Sequence, residues 1–381
     1  MPCNDMVDSV LQQRVENAWR FAQQQVRKQI ERDPNLYPLY TQKGIWNHSG
    51  EPWTRWCDGF LPGMMWLFYE LEHDVEWRSH AEVYSRRLES RKHDREVHDL
   101  GFIFFHGTYL RWYKATVDER RPDESLNDVV LQAGKTLAMR FKEKGQYLRS
   151  FVADESLFID IMMNVPIIFY AALERDDADL MRIATAHTLT SRRALVRGDG
   201  STSHEATFDL NSGECLRQTT HQGYRPDSCW SRGLAWSLYG FATCYKLVPD
   251  ERFLQTARMN ADYYMNAAPA DGIAPWDFDA PTDSRHQVDS SAAAIAASGL
   301  MELACADPQE ERKARYREYA SQILATLCGE QYLGKTPAGW QGILKHGVYH
   351  VNKNLGVGES VMWGEFFFVE ALSKLIRSWK S

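Results

Sequence analysis

At 381 residues, with 44% hydrophobic and 25% charged residues and no linker-like run of Pro, Gly and Ser, the chain reads as one large domain, 1–381, with a sizeable core. A net charge of −7 argues against a nucleic-acid partner, which would favour a basic patch. No long uncharged apolar stretch offers a membrane span, and MPCNDMVDSVLQQRVENAW carries no secretory signal, so a cytoplasmic protein is expected.

In chain order, six segments open with small, polar or charged residues and run into a strongly apolar, helix-like stretch. Trp56-Cys57-Asp58-Gly59-Phe60 leads into LPGMMWLFYE, His98-Asp99-Leu100-Gly101-Phe102 into IFFHGTYLRWY, and Phe158-Ile159-Asp160 into IMMNVPIIFYAAL. Ser228-Cys229-Trp230-Ser231-Arg232-Gly233 leads into LAWSLYGFATCY, Asp289-Ser290-Ser291 into AAAIAASGLMELA, and Gly358-Glu359-Ser360 into VMWGEFFFVEALSKL. Between them lie charged stretches with apolar residues at helical spacing on one side, such as SVLQQRVENAWRFAQQQVRKQI and EERKARYREYASQILATL. Helices apolar on nearly every face are buried and one-sided helices face water. Six alternations therefore predict an all-α fold, an (α/α)6 barrel of six inner and six outer helices, with few strand signals.

In such a barrel the inner helices run in one direction, so the six polar openings gather at one mouth. Helix N-termini favour anionic groups there. Asp58, Asp99, Asp160, Asp289 and Glu359 all stand at these openings, where an ordinary role is to cap or flank the first helical turn. Asp160 differs, because Phe158, Ile159, Ile161, Met162 and Met163 surround it in sequence. Desolvation raises a carboxyl pKa toward the range useful for acid/base work, while the helix N-terminus opposes that shift. The polar loop Gly198–His204, followed by Thr219–Tyr224, reads as a binding loop. His204, Gln222 and Arg232 are its candidates for a sugar carboxylate, Arg232 through its planar fork.

The 13 Trp, 17 Tyr and 17 Phe residues suit sugar rings as well as helix packing. Seven scattered cysteines without a C-x-x-C pair suggest buried thiols in a reducing compartment. No HExxH, G-x-S-x-G, Walker or dinucleotide-binding pattern is present, and His93, His98 and His106 lack companions at metal-ligand spacing.

His98-Asp99-Leu100-Gly101-Phe102, Ile159-Asp160-Ile161-Met162-Met163-Asn164 and Asp199-Gly200-Ser201-Thr202-Ser203-His204 together resemble the unsaturated glucuronyl hydrolases of glycoside hydrolase family 88. Gln222-Gly223-Tyr224, Ser228-x-Trp230-x-Arg232-Gly233-x-Ala235-Trp236 and Gly356-Val357-Gly358-Glu359-Ser360 extend the resemblance over nearly the whole chain. It implies an (α/α)6 barrel without metal or organic cofactor. It also implies an unsaturated uronic-acid oligosaccharide as substrate, with the 4,5-unsaturated residue removed by hydration of its double bond. On this resemblance Asp160 is the acid/base, and Asp99 is the second essential acid. His204, Gln222 and Arg232 match uronate-binding positions, and Trp53, Trp230, Trp236 and Tyr349 match pocket walls.

Two stretches depart from the pattern. Family members often place a Trp shortly before the acid/base helix, where Gly145–Phe151 offers Tyr147 or Phe151. The segment His346–Lys353 does not clearly match the version that accepts a sulfate on the second sugar. Other readings are an unsaturated rhamnogalacturonyl hydrolase acting on pectin fragments, and a sugar 2-epimerase with His204 and His221 as its bases. Oligomeric state is not readable from the residues.

Overall fold

Apolar character on every face decides which helices go inside. The computed structural model describes residues 2–46, 55–281 and 287–380, with side chains from Ser9 onward. Among them are twelve α-helices. The chain runs through α1 (Pro2–Arg32), α2 (Phe60–Glu72), α3 (Val75–Arg86), α4 (Tyr109–Asp118), α5 (Glu124–Ala138) and α6 (Pro166–Arg175). It continues through α7 (Ala178–Leu195), α8 (Ser231–Leu247), α9 (Glu251–Ala267), α10 (Ser290–Ala306), α11 (Glu310–Leu327) and α12 (Met362–Lys380).

Even-numbered helices form the inner ring. In α2 every side chain from Phe60 to Tyr69 is buried. In α10 the run from Ser290 to Met301 is buried, and its small side chains let it pack closely between α8 and α12. The ring closes where α12 packs on α2. Odd-numbered helices lie outside. Along α11 the buried positions are Tyr316, Ala320, Ile323, Leu324 and Leu327, the three-and-four spacing of a one-sided helix. The architecture is the (α/α)6 barrel that the alternation predicts.

Capping falls differently from expectation. Of the five acids at the inner openings, only Asp289 caps, accepting from the Ser291 amide at the start of α10. Asp74, Asp123, Asp177 and Asp250 cap the outer helices α3, α5, α7 and α9 instead. Asp58 pairs with Arg91 at 3.2 Å. Glu359 lies in a strand and accepts from the Thr41 hydroxyl and from the Lys43 and Gly44 amides.

The two inner helices entered through Asp99 and Asp160 are broken, whereas the other four are continuous. Gly101–Gly107 winds as a π-helix before the backbone kinks at Thr108 and α4 begins. Ile159–Met163 forms a 3-10 turn, and Pro166, which has no N–H to donate, starts α6 afresh. Each break lets a short turn, rather than a helix barrel, present the acid.

Short strands frame the mouth. Two hairpins, β1 (Thr41–Gln42) with β2 (Ile45–Trp46) and β3 (Phe141–Lys142) with β4 (Tyr147–Leu148), precede a three-stranded antiparallel sheet. That sheet runs β5 (Ser156–Phe158), β6 (Glu205–Phe208), β7 (Cys215–Thr219). A last hairpin pairs β8 (Gly347–His350) with β9 (Leu355–Glu359). At the opposite end of the barrel Arg111 binds Glu70 and Glu370, while Lys374 binds Glu302, so the inner-helix C-termini are tied by charge pairs.

Candidate active site

A cavity of about 280 Å³ opens where the inner helices begin. Asp99 and Asp160 are the carboxylates in its wall, which also includes Trp56, Phe102, Phe151, Phe158 and Tyr349. Register in the small sheet sets Asp160 beside His204. Phe158 pairs with Glu205, and the next amide, Ile159 N–H, donates to the His204 carbonyl at 3.0 Å. Asn164 joins the two acid-bearing turns. Its Oδ1 accepts the Phe102 amide at 2.9 Å, and its Nδ2 donates to the Asp160 carbonyl at 3.3 Å.

His204 is buried, and its Nδ1 faces three donors: the His221 amide at 3.0 Å, the Gln222 amide at 3.3 Å and the Thr220 hydroxyl at 3.3 Å. A neutral imidazole that accepts at Nδ1 carries its proton on Nε2. Burial keeps the ring neutral, holding its pKa well below the usual imidazole range. Nε2 stands 3.6 Å from Asp160 Oδ2.

Burial raises the Asp160 carboxyl to about 6, partly offset by the charge of Arg232. Asp99 goes higher, to about 8, through burial first and the negative charge of Asp160 second, against Arg91 and Arg140. Two carboxyls that repel each other's ionisation titrate as a pair, and around neutral pH this pair retains a proton. A retained proton within a low-dielectric cavity is what a general acid needs.

Arg232 lines the cavity, and its fork is already engaged within the protein. It is fully buried between the rings of Trp230 and Trp363, at 4.3 and 5.1 Å. Its Nη1 faces the Val348 carbonyl and Asp289 Oδ2, and its Nη2 donates to the Tyr349 carbonyl at 2.9 Å and to Gln222 Oε1 at 2.5 Å. Both terminal nitrogens are thus engaged inside the protein. Because Arg232 holds Gln222 by its oxygen, the donor end of that amide is the end left for a ligand.

Of the remaining expected walls, Tyr349 lines the cavity, its ring tilted against that of Trp363 at 5.0 Å. Trp230 stands behind His204 at 4.7 Å. Trp236 is wholly buried, 5.0 Å from Phe102 and 5.2 Å from Phe367, in the packing beneath the floor. Trp53 lies outside the described residues. Of the two aromatics offered before the acid/base turn, Phe151 faces the cavity, whereas Tyr147 stacks on Phe208 at 4.3 Å.

Sequence reasoning did not single out Trp56 or His98 as lining residues, yet both line the cavity, together with His221 of the binding loop and His350 and Lys353 of the segment His346–Lys353. His221 contacts Glu205 at 3.2 Å. Trp56 and His98 each stand next to an inner-helix opening, a signal that could have found them. His106 is buried against the Met163 carbonyl at 3.0 Å, and His93 is exposed on another element. Among the described residues no cluster of His, Cys, Asp and Glu has the makings of a metal site.

The model of Glycosyl Hydrolase Family 88 matches residues 23–304. The chain belongs to this family. It is 32% identical over 335 residues to the unsaturated glucuronyl hydrolase of Bacillus sp. (strain GL1), which covers 85% of this chain and 87% of the relative. The unsaturated chondroitin disaccharide hydrolase of Streptococcus pyogenes serotype M1 is 29% identical over 334 residues, covering 86% and 82%. The crystal structure of an unsaturated glucuronyl hydrolase specific for heparin superposes with a TM-score of 0.87 at 28% identity, covering 98% of this chain and 99% of that one. Family membership makes the chain a glycosidase, and the cavity is where its chemistry has to be sought.

Proposed function

We propose that the cavity binds the non-reducing end of a lyase-generated, glycosaminoglycan-type oligosaccharide and releases its 4,5-unsaturated uronic acid by hydration, with Asp160 as the acid/base. The observation that carries this reading is the setting of Asp160. Its Oδ2 is buried, has no hydrogen-bond partner within the described protein, and faces the Nε2–H of His204 across 3.6 Å.

The substrate's C4=C5 bond forms a vinyl ether with the ring oxygen and is conjugated to the carboxylate. Asp160 delivers a proton to C4, and positive charge develops at C5, shared with the ring oxygen. The resulting carboxylate takes a proton from the water that adds at C5. The hemiketal opens, the hydroxyl left on C1 expels the second sugar with its glycosidic oxygen, and a keto-uronate remains. Hydrogen and oxygen of one water are accounted for, and Asp160 ends as it began. Asp99 orients the sugar hydroxyls and shares with Asp160 the proton that the pair retains around neutral pH.

The Gln222 amide, His204 and His221 offer donors to the uronate, and the buried Arg232 contributes charge while fixing Gln222 and the Val348–Tyr349 backbone. Trp56, Phe102, Phe151 and Tyr349 supply apolar faces for the ring. An epimerase would need histidine bases on opposite inner helices; here His204 and His221 are neighbours, 6.1 Å apart, and His204 Nδ1 is taken by backbone amides. We assign residues 1–381 to this one catalytic unit, since α1 packs on α2, α11 and α12. The free, buried Cys57, Cys229, Cys244 and Cys328 favour a reducing, cytoplasmic setting. Among the described residues no helix is long and apolar enough to cross a membrane.

The test is a panel of unsaturated disaccharides followed by loss of the conjugated bond's ultraviolet absorbance, beside the saturated glucuronides. Turnover confined to the unsaturated compounds is the expected result. Equal hydrolysis of both series would return the site to ordinary two-carboxylate displacement.

A further inference from the structure

His98 precedes Asp99, lines the same cavity and is 2% exposed. Both of its ring nitrogens have defined surroundings. Nδ1 accepts the Phe151 amide N–H at 3.1 Å, so the proton of the neutral ring belongs on Nε2. Nε2 lies 3.4 Å from Asp99 Oδ1. Burial keeps the ring neutral, and the charges of Arg140 and His187 act in the same direction.

This repeats the arrangement at the other acid. His204 also accepts backbone amides at Nδ1 and turns Nε2 toward Asp160. Phe158 stands between the two imidazoles, 5.8 Å from His98 and 4.7 Å from His204. Each carboxyl of the pair therefore has beside it, at 3.4 or 3.6 Å, the Nε2 of a buried, neutral histidine whose other nitrogen is pinned to the main chain.

We propose that His98 is a positioning residue for the hydrolysis: its Nε2–H holds Asp99 by Oδ1, and its Nδ1 ties Asp99 to the wall segment that carries Phe151 and Val152. The inference rests on the assignment of Asp99 and Asp160 as the reacting pair. With a donor directed at Oδ1, a proton on Asp99 resides on Oδ2, because a proton on Oδ1 would oppose the imidazole N–H. His98 thus selects the oxygen that can donate to the sugar. The charged groups facing Asp99 are Asp160, Arg91, Arg140 and Asp94. Loss of a donor to the carboxylate removes stabilisation of its ionised form, so the Asp99 titration moves to higher pH.

Two variants separate the ring's two tasks. In His98→Asn the amide occupies the Nδ1 position and can accept from Phe151 but does not reach Asp99. In His98→Gln it reaches the Nε2 position and can donate to Asp99 but gives up Phe151. We expect His98→Asn to lower kcat by about 10–100-fold, the scale of a misplaced reacting group, with KM little changed and the Asp99 limb of the pH profile displaced upward. His98→Gln should recover most of that loss and the native profile. Native kcat and profile in His98→Asn would overturn the proposal, as would equal impairment of both variants with an undisplaced limb. Ring nitrogen chemical shifts of the native protein give a readout that needs no substrate. A neutral, Nε2-protonated His98 between pH 5 and 9 is expected, and an Nδ1-protonated or cationic ring would overturn the proposal. Asp160→Asn is assayed alongside: turnover surviving there refutes the reacting pair itself, whereas an inactive Asp160→Asn beside a native-like His98→Asn refutes only the role of His98.

Discussion

His204 Nε2 and Asp160 Oδ2 face each other at 3.6 Å, and each is a buried polar atom without a hydrogen-bond partner among the described residues. An unpaired buried polar atom costs about 1–3 kcal/mol. Two of them opposed across a cavity wall mark a place where the fold gives up stability, as sites that act on a ligand do.

Asp160→Asn keeps the shape of the side chain and removes its ability to deliver and recover a proton. Turnover should fall by about 10²–10⁴-fold. Thermal unfolding at pH 7 should be at least as favourable to the fold as in the native protein, because the burial that raises the Asp160 carboxyl to about 6 opposes the charged form. Substantial turnover in a variant with a native melting curve would remove Asp160 from the acid/base role.

Asp99 gives a prediction about stability and pH. Its carboxyl is raised to about 8 in the folded protein, by burial and by the charge of Asp160, while in an unfolded chain an Asp titrates near pH 4. Between these values the folded state holds a proton that the unfolded state has lost. Stability contributed by Asp99 is therefore full below about pH 4, declines as pH rises toward 8, and is constant beyond. In Asp99→Asn the melting temperature should fall less steeply from pH 5 to 8 than in the native protein. Parallel slopes would place the ionised form of Asp99 in the native state throughout.

Arg232→Lys retains the charge and loses the planar fork. The side chains and carbonyls around it cannot all be reached by one ammonium. Unfolding in urea should report a loss of about 1–3 kcal/mol, the range for leaving buried acceptors unpaired. KM for the unsaturated disaccharide should rise as Gln222 and the Val348–Tyr349 backbone lose their tether. Native stability in the variant would mean that those acceptors find other donors.

The barrel and Asp160 were legible for the same reason. Apolar residues on every face of a segment are a one-dimensional record of burial, and the acid inside the run from Phe158 to Met163 interrupts it. Arg232 was legible as a site residue, whereas its geometry was not, because its partners are main-chain carbonyls 116 and 117 residues further on. The same holds for His98, whose Nδ1 partner is the Phe151 amide 53 residues away. Trp236 shares the spacing of a wall residue and turns instead into the ring of Phe102 and Phe367, a choice made by packing between helices. Glu359 stands where an inner helix was expected to open, and the hairpin of β8 and β9 moves that start to Met362.

The central claim is that water adds at C5 after a proton reaches C4, so the anomeric carbon is never attacked. Hydrolysis of an unsaturated disaccharide in deuterium oxide and, separately, in oxygen-18 water, with the products read by NMR and mass spectrometry, tests it directly. The account predicts deuterium at C4 of the keto-uronate, the oxygen label entering at C5, and an unlabelled glycosidic oxygen on the released sugar. Oxygen label at C1 with no deuterium at C4 would contradict it and would establish direct displacement at the anomeric carbon.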